Sequence, residues 1–346
     1  MLLSIAVPVY NEKEALPELL AAVRRVMSAT EYDYELIIVD DGSTDGTTSL
    51  LEAAASADSK IKILVFSRNF GHQVAITAAL DHALGDAVAV IDADLQDPPE
   101  LLPRMLEKLR QGYDIVSAQR ITRKGDGFFK RFTARLFYWV MQKSMDQRLT
   151  PQVGDFRMFS RRAIVGLRQL HERHRFMRGM VAWLGLKEAI VPYDRQPRVA
   201  GTTKYSASRM LRFAWTAASS FSAIPLRLSM YSGLIVTAGG LAYAAYSVYA
   251  SYVLKATVPG WTSLIVINVI FSGTILTAIG LVGDYLARIY EEAKGRPLYI
   301  VANTINLNPA MRAANGVVLP PPVSPQPDEA TQETAYARSA GKATRV

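Results

Sequence analysis

The sequence predicts an α/β protein: a mostly parallel sheet with helices on both faces, then amphipathic interface helices and a C-terminal hairpin of two membrane-spanning helices. Three observations predict it. Over residues 2–120 apolar strand-like runs alternate with helical patterns, the signature of parallel strands joined by crossover helices. Charge is absent between Arg227 and Lys255 and again between Lys255 and Asp284, and each run exceeds the roughly 20 residues that cross a bilayer. Finally, three of the early strand-like runs end in turns that contain carboxylates or other oxygen donors.

Taken in order, strands are expected at Leu2–Val9, Tyr34–Val39, Ile61–Phe66, Ala87–Ile91 and Asp114–Ala118. Helices are expected between them, near Glu14–Ser28, Thr44–Ala57, Gln73–His82 and Pro99–Gln111. No Gly-x-Gly-x-x-Gly turn follows the first strand, so a dinucleotide site of the usual kind is not indicated.

Beyond residue 120, Phe128–Lys143 mixes Phe, Leu, Trp and Met with Lys130, Arg131 and Arg135. Ser206–Ser222 repeats that character with Arg209 and Arg212. Basic amphipathic helices rich in aromatics commonly lie in a membrane interface, while packing against the domain is the plainer alternative. Spanning helices are expected near Tyr231–Val253 and Leu264–Leu286, with Gly233, Gly239 and Gly240 allowing close approach in the first. Basic residues gather at Arg209, Arg212 and Arg227 before the hairpin and at Arg288, Lys294 and Arg296 after it. The connector holds only Lys255. The positive-inside bias therefore predicts a multi-pass protein with the N-terminal domain and both termini in the cytoplasm. Arg288, one turn after Asp284, is its expected partner. The expected domains are 1–205 catalytic, 206–228 interface helix, 229–290 hairpin, 291–307 return segment and 308–346 a Pro-, Ala- and Ser-rich disordered tail.

Composition narrows the chemistry. The 346 residues contain no cysteine, which removes disulfides, thiolate metal sites and Cys nucleophiles, and four histidines make a His-rich zinc site improbable. The net charge of +8 points to an anionic partner. With no recognisable nucleic-acid-binding module and a spanning hairpin, no nucleic-acid partner is expected.

The chemistry is expected where the strands end, because ligands of open parallel sheets gather beyond the carboxyl ends. The fourth run delivers Asp92 and Asp94, spaced i, i+2, with Gln96 just beyond in Asp92-Ala93-Asp94-Leu95-Gln96-Asp97. Such hard oxygen donors suit Mg²⁺ or Mn²⁺, which usually keeps water and substrate phosphate oxygens in its shell. An Asp-rich turn that only caps a helix is the simpler alternative. The first strand ends in Val7-Pro8-Val9-Tyr10-Asn11-Glu12 and the second in Val39-Asp40-Asp41-Gly42-Ser43-Thr44-Asp45-Gly46-Thr47, on the same edge. Asp40 or Asp41 is suited to accept from the N–H of a uracil or a guanine, and Tyr10 to lie against the base. Taken singly, the second motif is equally a turn and helix cap.

Together, Val7–Glu12, Asp40–Thr47, Asp92–Glu100 and Gly154-Asp155-Phe156-Arg157 resemble the family-2 glycosyltransferases of GT-A fold, whose sheet is Rossmann-like. More narrowly they resemble the polyprenyl-phosphate glycosyltransferases, the group containing dolichyl-phosphate mannose synthase and the GtrB-like bactoprenol glucosyltransferases. The resemblance runs from about residue 2 to 300 and excludes the tail. It implies that Pro8, Tyr10, Glu12, Val39 and Asp40 or Asp41 hold the nucleoside. Asp92, Ala93, Asp94 and Gln96 would meet the donor, with Asp92, Asp94 and Gln96 holding the metal on its diphosphate. It also implies that Arg198 and Lys204 form a basic loop near the diphosphate and that Arg120 meets a phosphate. Asp155 would occupy the proposed base position. Lys130, Arg131 and Arg178 are candidate cations for the acceptor head group. Relatives often carry Ser where Thr203 stands, and usually Lys where His72 stands.

The implied reaction moves a hexose from a nucleotide sugar to a polyprenyl phosphate, with inversion. The implied donor is UDP-glucose or a close UDP-hexose, GDP-mannose being the alternative, and undecaprenyl phosphate is the implied lipid. A homo-oligomer, a tetramer by the same resemblance, is implied as well. An acceptor phosphate is largely ionised at pH 7, its second pKa being about 6, so a strong base is hardly needed. Two rivals remain at this stage. A processive polysaccharide synthase would show a Gln-x-x-Arg-Trp motif, which is absent, and a catalytically dead nucleotide-sugar binder would have lost Asp92 or Asp94, which are present.

Overall fold

The computed structural model describes residues 1–121, 153–173, 175–194, 224–253, 260–307 and 316–318. Within these, a nine-stranded mixed sheet runs β7-β5-β6-β4-β1-β2-β3-β8-β9. The strands are β1 Leu2–Val9, β2 Asp33–Asp40, β3 Ile61–Phe66, β4 Ala87–Val90, β5 Ile115–Arg120, β6 Val153–Ser160, β7 Glu188–Tyr193, β8 Tyr299–Ile305 and β9 Gly316–Val318. The helices are α1 Leu16–Ser28, α2 Thr47–Ala57, α3 His72–His82, α4 Leu102–Arg110, α5 Arg161–Arg168, α6 Met177–Trp183, α7 Ile224–Tyr252 and α8 Gly260–Ala293. A single 3₁₀ turn, Pro99–Leu101, precedes α4.

The β1–β4 core is parallel, as the sequence predicts, with Pro8 opposite Val39 and Val9 opposite Asp40. Strand alternation divides the apolar side chains between two faces. Leu3, Ile5, Val7 and Val9 pack with α1, α2 and α4, whose Leu16, Leu19, Val23 and Met27 recur at helical spacing. Ala6, Ile37, Val39, Val88 and Val90 pack on the other face with α3, α5 and α6. Both faces are therefore covered, which explains strands that are apolar almost throughout.

The expected helices start later than the sequence suggests at two places. Helix α2 begins at Thr47 instead of Thr44, because Asp45 Oδ1 accepts from the Thr47 amide at 3.0 Å and Gly46 sits at φ +91°. That geometry keeps the preceding turn out of the helix. Helix α1 begins at Leu16, after Glu12 O has accepted the amides of Ala15 and Leu16.

Four strands were not foreseen, among them β7, which pairs parallel with β5 at one edge of the sheet. β6, which carries Gly154–Arg157, runs antiparallel between β4 and β5. β8 pairs antiparallel with β3, so the segment after α8 closes the sheet instead of merely returning to the domain. Tyr299, fully buried, fastens it: its ring stacks on Phe66 at 5.1 Å and its hydroxyl donates to Asp81 at 3.0 Å. β9 lies inside the stretch expected as a featureless tail and pairs with β8. Gly316 is required there, since a Cβ would fall 2.2 Å from the Tyr299 ring.

Helices α7 and α8 pack against each other through Gly240, where a Cβ would fall 2.3 Å from Phe271 Cζ. Among the described residues one helical stretch, Ile270–Ala293, is long and apolar enough to cross a membrane by length and composition. α7 is diluted by Ser and Tyr, although Leu234, Ile235 and Leu241 on it are exposed. Arg288 Nε lies 3.3 Å from Asp284 Oδ2, the pairing expected from their spacing. The two amphipathic segments, Phe128–Lys143 and Ser206–Ser222, lie outside the described residues.

Candidate active site at the strand ends

The carboxyl ends of β1 and β2 form one hydrogen-bonded unit. Asn11, in the left-handed region at φ +54°, donates its amide to Ser43 Oγ at 2.9 Å, and its Oδ1 accepts from the Thr44 amide at 2.8 Å. The Glu12 amide donates to Thr47 Oγ1 at 3.2 Å. Asp40 is fully buried, and its two oxygens accept from the Ser43 amide at 2.9 Å and from Thr48 Oγ1 at 2.5 Å. It anchors the loop. Asp41 accepts from the amides of Phe70 and Gly71 at 2.6 and 2.9 Å, clamping the loop that leads into α3. Burial raises the Asp41 pKa against the pull of those two amides. Pro8 and Val39 are neighbours inside the sheet, Glu12 is half-buried, and Tyr10 is 41 % exposed at the mouth of this edge. An exposed ring beside a rigid loop rich in polar groups is suited to a nucleoside.

Next along the edge come Asp92 and Asp94, both half-buried, with Ala93 buried between them. Burial and then the Asp97 carboxylate push the Asp92 carboxyl up to about 7. The loop is held tightly: Gln96 N donates to Asp94 Oδ1 at 3.2 Å, and Leu95 takes φ +57°, a conformation that costs a non-glycine residue. Gln96 is buried and its Oε1 has no hydrogen-bond partner. An unsatisfied buried carbonyl oxygen in the same loop as two carboxylates that repel each other has the chemistry of a hard-cation donor set. Asp92, Asp94 and Gln96 thus fit a hard divalent ion. Among the described residues no group of three or more acids or histidines forms a metal cage by itself, so such an ion would draw further oxygens from water and from the diphosphate.

Asp155 stands on β6, beside β4, and gathers side chains from two helices, α3 and α6. Gln73 Nε2 on α3 donates to its Oδ2 at 2.9 Å, and Arg178 Nε on α6 lies 3.5 Å from its Oδ1. His72 Nε2 lies 3.6 Å from Asp155 Oδ2 and 3.6 Å from Asp92 Oδ1, bridging the two acidic groups. Burial alone would raise the Asp155 pKa, but His72, Arg178 and Arg157 outweigh it and hold the carboxyl well below the usual range. For His72 burial disfavours the charge, and the acids Asp155, Asp92 and Asp41 overcome it, raising its pKa. Arg161, at the start of α5, donates to the carbonyls of Ala83 and Gly85, at 3.1 and 3.5 Å.

Arg120 ends β5 and donates to Tyr193 Oη at 3.3 Å, and Tyr193 in turn donates to the buried Asp97 at 2.8 Å. Burial and the Asp97 charge push the Tyr193 hydroxyl up to about 12, so it stays a donor. The Arg120 guanidinium lies against Gly154, where a Cβ would sit 3.2 Å from Nη2. Its charge faces Asp97 and Asp92, which places it on the metal side, whereas Arg178 lies across Asp155.

The structure therefore brings together Tyr10, Asp40, Asp41, Asp92, Asp94, Gln96, Arg120, Asp155 and Arg178 at one edge. Lys130, Arg131, Arg198 and Lys204 lie outside the described residues. His72 and Gln73 join the site although sequence reading assigned them no role. The departure at His72 was the one signal available. Asp97 and Tyr193 were also overlooked, the former because it reads as part of a turn and the latter because no motif surrounds it.

Similarity to known proteins agrees with this geometry. Residues 4–167 match the Glycosyl transferase family 2 domain. An uncharacterised glycosyltransferase of Bacillus subtilis, YkcC, is 44 % identical over 304 residues, covering 88 % of this chain and 94 % of the relative. A bactoprenol glucosyl transferase of Shigella phage SfII is 40 % identical over 309 residues, covering 89 % and 100 %. A prophage bactoprenol glucosyl transferase homologue of Escherichia coli K12 is 40 % identical over 301 residues, covering 87 % and 98 %. With acids, an orphaned amide oxygen and cationic side chains assembled at the strand ends, and with relatives this similar along nearly their whole length, the chain belongs to the family-2 glycosyltransferases.

Proposed function

We propose that this glycosyltransferase is a membrane-anchored, inverting enzyme that moves a hexose, in the first instance glucose from UDP-glucose, onto a polyprenyl phosphate such as undecaprenyl phosphate. The observation that carries the reading is the juxtaposition at one edge of two half-sites. Asp92, Asp94 and Gln96 form an oxygen cluster suited to a metal–diphosphate. Asp155, His72 and Arg178 beside it form a cluster of one carboxylate and two basic side chains suited to an acceptor phosphate. Relatives named bactoprenol glucosyl transferases supply the acceptor class.

Each residue then has a chemical task. Tyr10 and the loop anchored by Asp40 and Asp41 receive the nucleoside. Asp92, Asp94 and Gln96 would hold Mg²⁺ or Mn²⁺, which as a Lewis acid offsets the charge that grows on the departing diphosphate. Arg120 adds a cation on that side. On the other side Arg178 meets the acceptor phosphate, whose oxygen attacks the anomeric carbon as the bond to the diphosphate oxygen breaks, inverting the configuration. Asp155, held ionised, orients the acceptor and its cationic partners. It is too weak a base to drive the reaction, and the ionised acceptor does not require one. Arg198, Lys204, Lys130 and Arg131 would complete the basic surround.

The anchor reading extends this. We assign both α7 and α8 to the bilayer, the domain and both ends of the hairpin lying on the cytoplasmic side. The support is that α8, at 34 residues, exceeds the roughly 20 a membrane needs, and that β8 follows it directly into the catalytic sheet. The test is transfer of labelled sugar into organic-extractable lipid, with purified protein, undecaprenyl phosphate and a panel of UDP- and GDP-sugars. Labelled lipid from a UDP-hexose, lost on adding EDTA, is expected. Product from GDP-mannose alone would reassign the donor, and no product while donor still binds would favour an inactive membrane partner.

A further inference from the structure

We propose that Arg173 and Glu292 are positioning residues that tie the acceptor side of the site to the exit of the membrane hairpin, an inference that rests on the lipid-phosphate reading above. Glu292, in the last turn of α8, accepts the Arg173 amide at 2.7 Å, and Arg173 Nη1 donates to the Arg296 carbonyl at 2.6 Å. These contacts span more than a hundred residues of sequence, and they join the end of the anchor to the segment that enters α6. Five residues after Arg173 stands Arg178, 3.5 Å from Asp155.

Residues 175–177 of the intervening segment are fastened to the domain. Arg175 donates to the Leu170 carbonyl at 2.5 Å, and Phe176 and Met177 are buried. The Met177 amide donates to Gln73 Oε1 at 3.1 Å, while the same amide side chain gives its Nε2 to Asp155. Gln73, Asp155, Arg178 and the backbone at Met177 thus close a ring that locks the first turn of α6 onto the acceptor carboxylate. One end of this short segment is fixed to the catalytic ring and the other to α8. Past the clasp, Gly295 at φ +58° turns the chain toward β8, whose Tyr299 is buried in the sheet, so α8 is fixed to the domain on both sides of its end. A phosphate whose prenyl chain stays in the bilayer must present itself at a set height, and this clasp sets the height of Arg178 relative to the anchor. A soluble acceptor carries no such restriction.

The experiment uses the full chain in liposomes. Arg173→Ala, Glu292→Ala and Arg173→Lys are compared on undecaprenyl phosphate in the bilayer and on a short, water-soluble prenyl phosphate. For both alanine variants the KM for the bilayer acceptor is expected to rise about fivefold, the scale of one exposed charge-assisted hydrogen bond. Donor KM and the rate with the soluble acceptor stay at wild-type values, and Arg173→Lys recovers most of the loss. An equal effect on both acceptors, or none on either, overturns the proposal. Amide exchange over Met177–Trp183 gives a readout independent of turnover. It is expected to quicken in Arg173→Ala, and unchanged exchange would overturn the tie even if the wild type transferred sugar to no acceptor, an outcome that would separately defeat the lipid-phosphate reading.

Discussion

The two halves of the site are built differently. The proposed donor edge is made of loops that immediately follow β1, β2 and β4; the last two carry short-range bonds, such as Asp40 to Ser43 and Asp94 to Gln96, and the β1 loop is tied to the adjacent β2 loop through Asn11 and Glu12. The acceptor side is assembled from β6, α3 and α6, whose contributions Asp155, Gln73 and Arg178 lie up to 105 positions apart and meet only in the folded sheet. The donor half is therefore a property of local motifs, whereas the acceptor half is a property of the tertiary fold. Loss of a donor-edge acid should abolish chemistry, and loss of an acceptor-side group should only misalign it.

The largest expected effect sharpens that contrast. Asp94→Asn should lower kcat by about a thousandfold or more, since charge stabilisation of several kcal/mol at the leaving group is lost. Initial-rate assays with saturating donor and acceptor measure it. Asp155→Asn should cost less, about ten- to a hundredfold, if, as proposed, the carboxylate orients the acceptor and abstracts no proton. Its pH dependence gives the sign. The folded-state pKa of Asp155 is depressed, so the group is ionised throughout the range above its ordinary value of about 4 and contributes no acid limb at neutral pH. A limb near neutral pH is expected from the acceptor phosphate together with Asp92 and His72, so it persists in Asp155→Asn; activity as low as that of Asp94→Asn would instead make Asp155 essential to the chemistry.

Asp40→Ala probes the donor edge as structure. It leaves the Ser43 amide and the Thr48 hydroxyl without their acceptor, a loss of about 2 kcal/mol visible as a lower urea midpoint with unchanged slope. Asp155→Asn should also lower that midpoint at neutral pH, because a carboxylate held ionised by His72, Arg178 and Arg157 contributes stability above its ordinary pKa, and the difference from wild type should shrink as the pH falls below about 4. Smallest is Tyr193→Phe, which removes the donor to Asp97 and should lower kcat/KM several-fold, corresponding to about 1 kcal/mol, with Arg120 still in place. A larger loss there would mean that Tyr193 itself meets substrate.

The same division explains what the sequence disclosed. β1, β2, β3 and β4 are runs of buried Val, Ile and Leu closed by turn residues, so both their positions and the acids at their ends were legible. β6 was missed because Gly154-Asp155-Phe156-Arg157 mixes charge with apolar residues, and its alternation makes sense only between β4 and β5. β8 was missed because its partner β3 lies more than 230 residues earlier and no local pattern links Tyr299 to Phe66. His72 and Gln73 read as the unremarkable start of a helix. Only when α3 is laid beside β6 do they become the bridge between Asp92 and Asp155.

The most direct measurement is a side-by-side transfer assay in liposomes with undecaprenyl phosphate and labelled UDP-glucose, for wild type, Asp94→Asn and Asp155→Asn, with and without EDTA. The predicted result is labelled lipid from the wild type, none with EDTA or Asp94→Asn, and a reduced but measurable yield from Asp155→Asn. Product that survives both EDTA and Asp94→Asn would contradict the assignment of Asp92, Asp94 and Gln96 to a metal–diphosphate and with it the division of the site into two halves.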